Sequence, residues 1–377
     1  MPQAEDGTPQ AGVAETHRYP CAECGADLRF APGQTVLRCD HCGHEQRIVA
    51  AKRVPMGELD YQRAVKSALP AENMEETRVT SCPNCGAQVA FDGATHAAEC
   101  PFCATPVVAD TGTHRHIKPQ ALVPFALDEP TARDAMGKWL GRLWFAPDGL
   151  QDYASKGRKL EGLYVPYWTH DAASQSSYRG QRGEHYYETR TVTVNVNGRR
   201  QQRQEQVQKT RWYPASGRVA RQFDDVLVMA STSLQRGYAD GLEPWDLSAL
   251  TAYTPGYLAG FRAEGYTVSL EDGHAIAGEK IDAVIRDDVR RDIGGDVQQI
   301  DQISTTLSQE TFKHILLPIW MAAYKYRGKS YRFIVNAQTG EVQGERPWSA
   351  WKIGFAVLLG LIVAAAAAYV YGLQQGR

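Results

Sequence analysis

The most regular stretch of this sequence lies at its C-terminal end, where IGFAVLLGLIVAAAAAYVYGL (353–373) runs twenty-one residues without a charge. At about 1.5 Å per residue this is ~31 Å of helix, against a bilayer hydrocarbon core of ~30 Å. Trp348 and Trp351 precede it, and Tyr369 and Tyr371 lie near its end, where interfacial aromatics belong. The pattern predicts a single transmembrane helix over 351–373 followed by a short tail, 374–377. Elsewhere the periodicity is amphipathic. Ala132, Met136, Trp139, Leu140 and Leu143 recur at helical spacing behind Asp128, a predicted N-cap. From Lys280, the residues Ile281, Val284, Ile285, Val289 and Ile293 form a second stripe that ends at Gly294-Gly295. Shorter helices are expected in ELDYQRAVKSAL (58–69) and EPWDLSAL (243–250).

Between these stripes the period falls to two. LEGLYVPYWTHDAASQSSYRGQRGEHYY is rich in aromatic and β-branched residues, and ETRTVTVNVNGRRQQRQEQVQKTRWYP predicts a long two-stranded ribbon turning at Asn197-Gly198. HILLPIWMAAYKY and YRFIVNAQTGEV predict another antiparallel pair around Arg327-Gly328-Lys329. Val-Pro-Tyr-Trp (165–168) and Leu-Pro-Ile-Trp (317–320) echo one another. The expected fold class is α+β with a mainly antiparallel body.

Composition changes the picture in one place. All eight cysteines fall between residues 21 and 103, in four Cys-x-x-Cys pairs. CAECGADLRFAPGQTVLRCDHC (21–42) and CPNCGAQVAFDGATHAAECPFC (82–103) align at an offset of 61 residues with every cysteine coincident. Gly25 and Gly86, Ala26 and Ala87, and Phe30 and Phe91 coincide as well. Two residues between thiols let a tight turn aim both sulfurs at one ion, and the glycine after the pair permits the φ > 0 the turn needs. The spacing predicts two tandem Cys₄ zinc ribbons: Cys21, Cys24, Cys39 and Cys42 on one ion, and Cys82, Cys85, Cys100 and Cys103 on the other. Four thiolates close the coordination sphere, so both Zn²⁺ ions are expected to be structural. His41, His44 and the His114-Arg115-His116 run are read as surface residues.

Charge adds less. The whole chain carries a net −2, which selects no polyelectrolyte partner. The first ribbon holds Arg29, Arg38 and Arg47, whereas the second has no Lys or Arg between Cys82 and Cys103. Arg199, Arg200, Arg203, Lys209 and Arg211 make the predicted ribbon locally basic; this is read as a solvated hairpin face, with contact to nucleic acid or anionic lipid as the alternative. The N-terminal lead, 1–18, has neither the basic start nor the apolar core of a secretory signal. Thiolates on zinc suit a reducing compartment. Lys325, Arg327, Lys329, Arg332, Arg346 and Lys352 precede the apolar helix and only Arg377 follows it. The positive-inside rule then places the N-terminal bulk in the cytoplasm, on a single-pass anchor.

No catalytic constellation assembles from the sequence. AYKYRGKS (323–330) approximates a phosphate loop, but the residues that follow are β-formers and Tyr324, Lys325 and Tyr326 are too bulky for a phosphate cradle. Asp224-Asp225 reads as a solvated carboxylate pair. The chain is expected not to be an enzyme.

With the paired knuckles ahead of them, GLYVPYWTHDAASQSSYRGQRGEHYY and TFKHILLPIWMAAYKYRGKSYRFIVNAQTGEVQGERPWSAWKI resemble a family of bacterial zinc-ribbon membrane proteins. These are called transcription-factor-IIB-type, or relatives of primosomal protein N′ (replication factor Y) and superfamily II helicases. The resemblance implies a zinc-dependent module on a membrane. The helicase name does not carry over, because the chain lacks a phosphate loop, an acidic box and room for two motor domains. YRFIVNAQTGEV also resembles the terminal hairpin of PepSY-like domains (315–345). The expected organisation is lead 1–18, ribbon 19–50, linker with a short helix 51–79, ribbon 80–110, body 111–350 and anchor. The expected function is docking of a protein partner at the membrane, with nucleic-acid binding as the alternative.

Overall fold

The computed structural model describes residues 19–48, 57–66, 69, 74–82, 86–90, 97–99, 106–108, 113–147, 160–196, 199–326, 329–346 and 348–375. The first ribbon is a three-stranded antiparallel sheet of β1 (Leu28–Phe30), β2 (Val36–Cys39) and β3 (Glu45–Arg47). A short strand, β4 (Leu59–Asp60), leads into the six-residue α1 (Tyr61–Lys66). In the second ribbon region, β5 (Met74–Ser81) pairs with β6 (Gln88–Ala90) and β9 (Thr113–Ile117), while β7 (Ala97–Glu99) pairs with β8 (Pro106–Val108). Part of the expected linker is therefore strand, because β5 spans both partners.

The body is built on three very long strands. They are β11 (Glu161–Val196), β12 (Arg199–Met229) and β15 (Val297–Tyr326), and β11 lies antiparallel between the other two. Two-residue strands β10 (Ala121–Leu122), β13 (Thr251–Ala252) and β14 (Arg262–Ala263) pair at the margins. The sheet also takes in β16 (Lys329–Asn336) and β17 (Val342–Gly344). The Val-Pro-Tyr-Trp and Leu-Pro-Ile-Trp echoes fall on adjacent strands, with Tyr164 opposite Pro318 and Pro166 opposite Leu316. AYKYRGKS joins β15 to β16, and Tyr326 pairs with Lys329, so no helix opens after Ser330. Residues 197–198 and 327–328, where both turns are expected, lie outside the described residues.

Helices cover parts of the sheet. In α2 (Glu129–Gly141), Asp128 caps the first turn by accepting from the Thr131 N–H at 3.0 Å, and Ala132, Met136 and Leu140 are buried. The five-residue α3 (Arg236–Asp240) follows β12. The helix expected over 243–250 is only a 3₁₀ turn, Leu247–Ala249, because the Asp246 carboxylate accepts from the Ser248 N–H and closes a short turn. The stripe read from Lys280 belongs to α4 (Leu270–Ile293), which starts ten residues earlier at a Ser269 cap. Finally α5 (Ala350–Gln375) is long and apolar enough to cross a membrane, and none of that span is buried inside the protein. Its N-terminal end meets the body through the N–H of the preceding Ser349 on the Phe145 carbonyl and Lys352 Nζ on the Ala146 carbonyl.

Alternation along the long strands separates two apolar faces. Tyr164, Leu316 and Trp320 join Phe125 and Phe333 on one face, and Leu163, Val165, Leu317 and Ile319 line the other. The first ribbon inserts Cys21, Leu28, Phe30, Leu37 and Cys39 into the first core. Cys82 and Ala87 of the second are buried in the other.

Candidate metal centre

The strongest chemistry in the described residues is the thiol cluster of the first ribbon. Cys21 Sγ lies 3.5 Å from Cys42 Sγ, and Cys24 Sγ lies 3.5 Å from Cys39 Sγ. All four sulfurs fall within 4.8 Å of one another. A tetrahedral zinc with bonds of ~2.3 Å places its sulfurs ~3.8 Å apart, whereas a disulfide needs ~2.05 Å. The donor set and its size therefore fit zinc.

Backbone geometry explains how the sequence builds this site. Gly25 has φ 74° and donates its N–H to the Cys21 carbonyl, while the Cys21 N–H donates to Ala26. Gly43, at φ 77°, repeats the arrangement with Cys39 and His44. The turn directs neighbouring N–H groups at the sulfurs. Hydrogen bonds from the backbone of Cys42 and His41 pull the Cys39 thiol down to about 6. At Cys42 the His44 N–H also lowers the pKa, but desolvation and the other thiols push it up to about 12. Thiolates this close repel one another, and a divalent cation removes that conflict. His41 is exposed and His44 partly so, as expected of surface residues.

The ribbon is also fixed from outside. The Phe30 N–H donates to the Ala259 carbonyl at 2.9 Å and the Gly33 N–H to the Phe125 carbonyl at 2.8 Å. The Phe30 ring meets Tyr257 edge-on at 5.2 Å.

At the second ribbon, Cys85, Cys100 and Cys103 lie outside the described residues. Its first knuckle is described in part. Gly86 has φ 74° and donates to the Cys82 carbonyl, and the Cys82 N–H donates to Ala87. This matches the Cys21–Ala26 turn bond for bond. The backbone of His114-Arg115-His116 runs in β9.

A polar cluster that sequence reading missed sits where the three long strands are irregular. Asp171 faces a two-residue bulge, Asp224–Asp225, and accepts from the Asp225 N–H. Lys313, nearly buried, reaches Asp225 at 2.9 Å and Glu58 at 3.3 Å. Thr311 donates to Glu58 at 2.8 Å. Desolvation would lower the Lys313 pKa, but Asp225, Asp171 and Glu58 hold it up. Burial pushes the Asp171 carboxyl up to about 6, and the Glu58 carboxylate is within hydrogen-bonding reach. Asp224, read as half of a solvated pair, joins Glu58 and Asp171 here. The only sequence signal was a charged residue at 171 and another at 313 inside apolar strand patterns.

A carboxyl whose folded pKa exceeds its unfolded value costs stability once ionised, so this penalty is absent at low pH and grows as pH rises through about 6. Asp171→Asn keeps an acceptor for the Asp225 N–H and adds a donor toward Glu58. It is expected to raise Tm by a few degrees well above pH 6, with the gain shrinking as pH falls through that value. A thermal melt series across pH checks this, and an equal gain at every pH would contradict it.

The Cys₄ geometry defines a zinc-ribbon protein. The chain matches the zinc-ribbon family of the DNA-directed RNA polymerase 7 kDa subunit over residues 14–56. It is also 27% identical to the uncharacterised protein YdjG of Bacillus subtilis (strain 168) over 344 residues, covering 89% of this chain and 91% of the relative. No solved structure matches.

Proposed function

We propose that this protein is a non-enzymatic docking module, tethered to a membrane by α5 with its bulk on the cytoplasmic side. In this reading Cys82, Cys85, Cys100 and Cys103 hold a second structural zinc. The observation that carries it is the burial of Cys21 and Cys39 in one core of the sheet and of Cys82 in the other. Knuckles sunk into the body act as staples, leaving the β11–β12 hairpin as the projecting surface. The identical turns at Cys21, Cys39 and Cys82 support the second ion. The exposed apolar length of α5 supports the tether.

Nucleic-acid binding is the second reading. It is favoured by the polymerase-subunit ribbon match and by Arg199, Arg200, Arg203, Lys209 and Arg211 on one hairpin arm. Crosslinking in intact membranes, followed by denaturing purification of the full chain, separates the two. Docking predicts a discrete covalent protein partner and none after crosslinking without the tether, in a variant lacking 350–377. Crosslinks to nucleic acid alone would contradict it.

A further inference from the structure

The β11–β12 hairpin outruns the rest of its sheet. Strand β15 accompanies β11 only as far as the Gly183–Val297 pair, whereas β11 and β12 remain paired to Val196 and Arg199. At ~3.3 Å per residue the unaccompanied part reaches about 40 Å beyond the third strand. Described side chains there are mostly exposed on both faces, Tyr187 at 65%. An isolated two-stranded hairpin is marginally stable in water. Strand β12 also forms an outer edge of the sheet along its whole length, with β11 as its pairing partner among the described residues. A long row of unpaired N–H and C=O groups, to which Pro214 contributes no N–H, is a template for a further strand.

The charge on this edge is one-sided. Between residues 200 and 221, β12 carries Arg200, Arg203, Lys209, Arg211, Arg218 and Arg221 against one carboxylate, Glu205. The chain as a whole is net negative. Three of these cations have partners inside the protein. Lys209 pairs with Glu188, Arg221 with Asp288 at 2.6 Å, and Arg211 lies over the Tyr186 ring at 5.0 Å. Arg200, Arg203 and Arg218 form no ion pair among the described residues. A second copy of β12 on this edge would set cations against cations, which destabilises cross-strand pairing. A nucleic acid would satisfy the charges but leave the main-chain edge unpaired. An acidic polypeptide in extended form satisfies both.

We infer that the outer edge of β12 over residues 200–221 takes an extended acidic polypeptide segment as an added strand. Its main chain continues the ladder, and its carboxylates lie beside Arg200, Arg203 and Arg218. The assignment rests on the docking reading and names the chemistry of that partner.

The test uses the full chain in detergent micelles and, as probe, a labelled peptide of about twenty residues repeating Thr-Thr-Glu-Glu, which spans ~60 Å of strand and sets carboxylates on both faces. A Thr-Thr-Lys-Lys peptide of the same length and single- and double-stranded oligonucleotides are the comparators. The Thr-Glu peptide should bind in a salt-dependent way and slow hydrogen exchange at β12 amides on the outer edge. The combined variant Arg200→Glu, Arg203→Glu, Arg218→Glu should weaken it by about tenfold or more while keeping the zinc content. Binding without amide protection would reduce the contact to diffuse electrostatics and overturn the added strand. Equal affinity for the Thr-Lys peptide, or preference for an oligonucleotide, would overturn the acidic polypeptide. A membrane partner crosslinked through the ribbons with no peptide on β12 would overturn this assignment and leave the docking reading intact.

Discussion

Cys39→Ser is expected to empty the first ribbon of metal and release it from the body. Cys39 ends β2, is buried at 1% exposure, and forms part of both the knuckle at Gly43 and the sheet core. Small Cys₄ modules take roughly 10–16 kcal/mol of apparent folding free energy from zinc. The three short strands here have no comparable source of their own, since Leu28, Phe30 and Leu37 are their main apolar contribution. Loss of the ion should expose Tyr257 and Phe261, whose rings meet Phe30 edge-on. The expected results are one zinc fewer per chain, new protease cleavage between residues 19 and 48, and a lowered Tm. Retention of full zinc content would show that Cys39 is not a ligand.

The second large effect is expected at Trp168. Its ring is fully buried and its indole N–H donates to the Val268 carbonyl at 3.0 Å. It packs against Tyr266 at 5.0 Å, His314 at 4.9 Å and Phe312 at 6.0 Å. α4 reaches it through Gly273, where a Cβ would lie 2.5 Å from the ring. Trp168→Ala removes the anchor of α4 on the long strands and should cost about 3–5 kcal/mol. At ~2–4 °C per kcal/mol this is roughly ten degrees of Tm. Gly273→Val should destabilise from the opposite side, by overpacking, at about 1–3 kcal/mol. A Trp168→Ala loss below about 1 kcal/mol would mean that α4 is held elsewhere.

These two sites differ in how readable they were. The zinc ribbon was legible because its chemistry is local: two thiols, a glycine and a fixed interval specify one turn, and the turn recurs at Gly25, Gly43 and Gly86. The apolar helix and the Asp128 cap were legible for the same reason. The start of α4 was not. Its first turns, LEDGHAIAG, contain two glycines that lower helix propensity. Gly273 is explained only by the Trp168 ring, 105 positions earlier in the chain. The lengths of β11, β12 and β15 were equally hidden. Their distal halves alternate Thr, Gln, Ser and Arg with few apolar residues, so pairing rather than burial extends them. The Asp171–Lys313–Glu58 cluster draws on three distant segments, and Lys313 and Glu58 are separated by 255 positions. No window of sequence could have joined them.

We propose that two zinc ions staple ribbons to opposite faces of one sheet. Metal analysis of the full chain, purified in detergent without chelators, decides this. Two zinc per chain are expected, falling to one in Cys82→Ser and to one in Cys39→Ser. A single zinc in the unaltered protein, unaffected by Cys82→Ser, would contradict it.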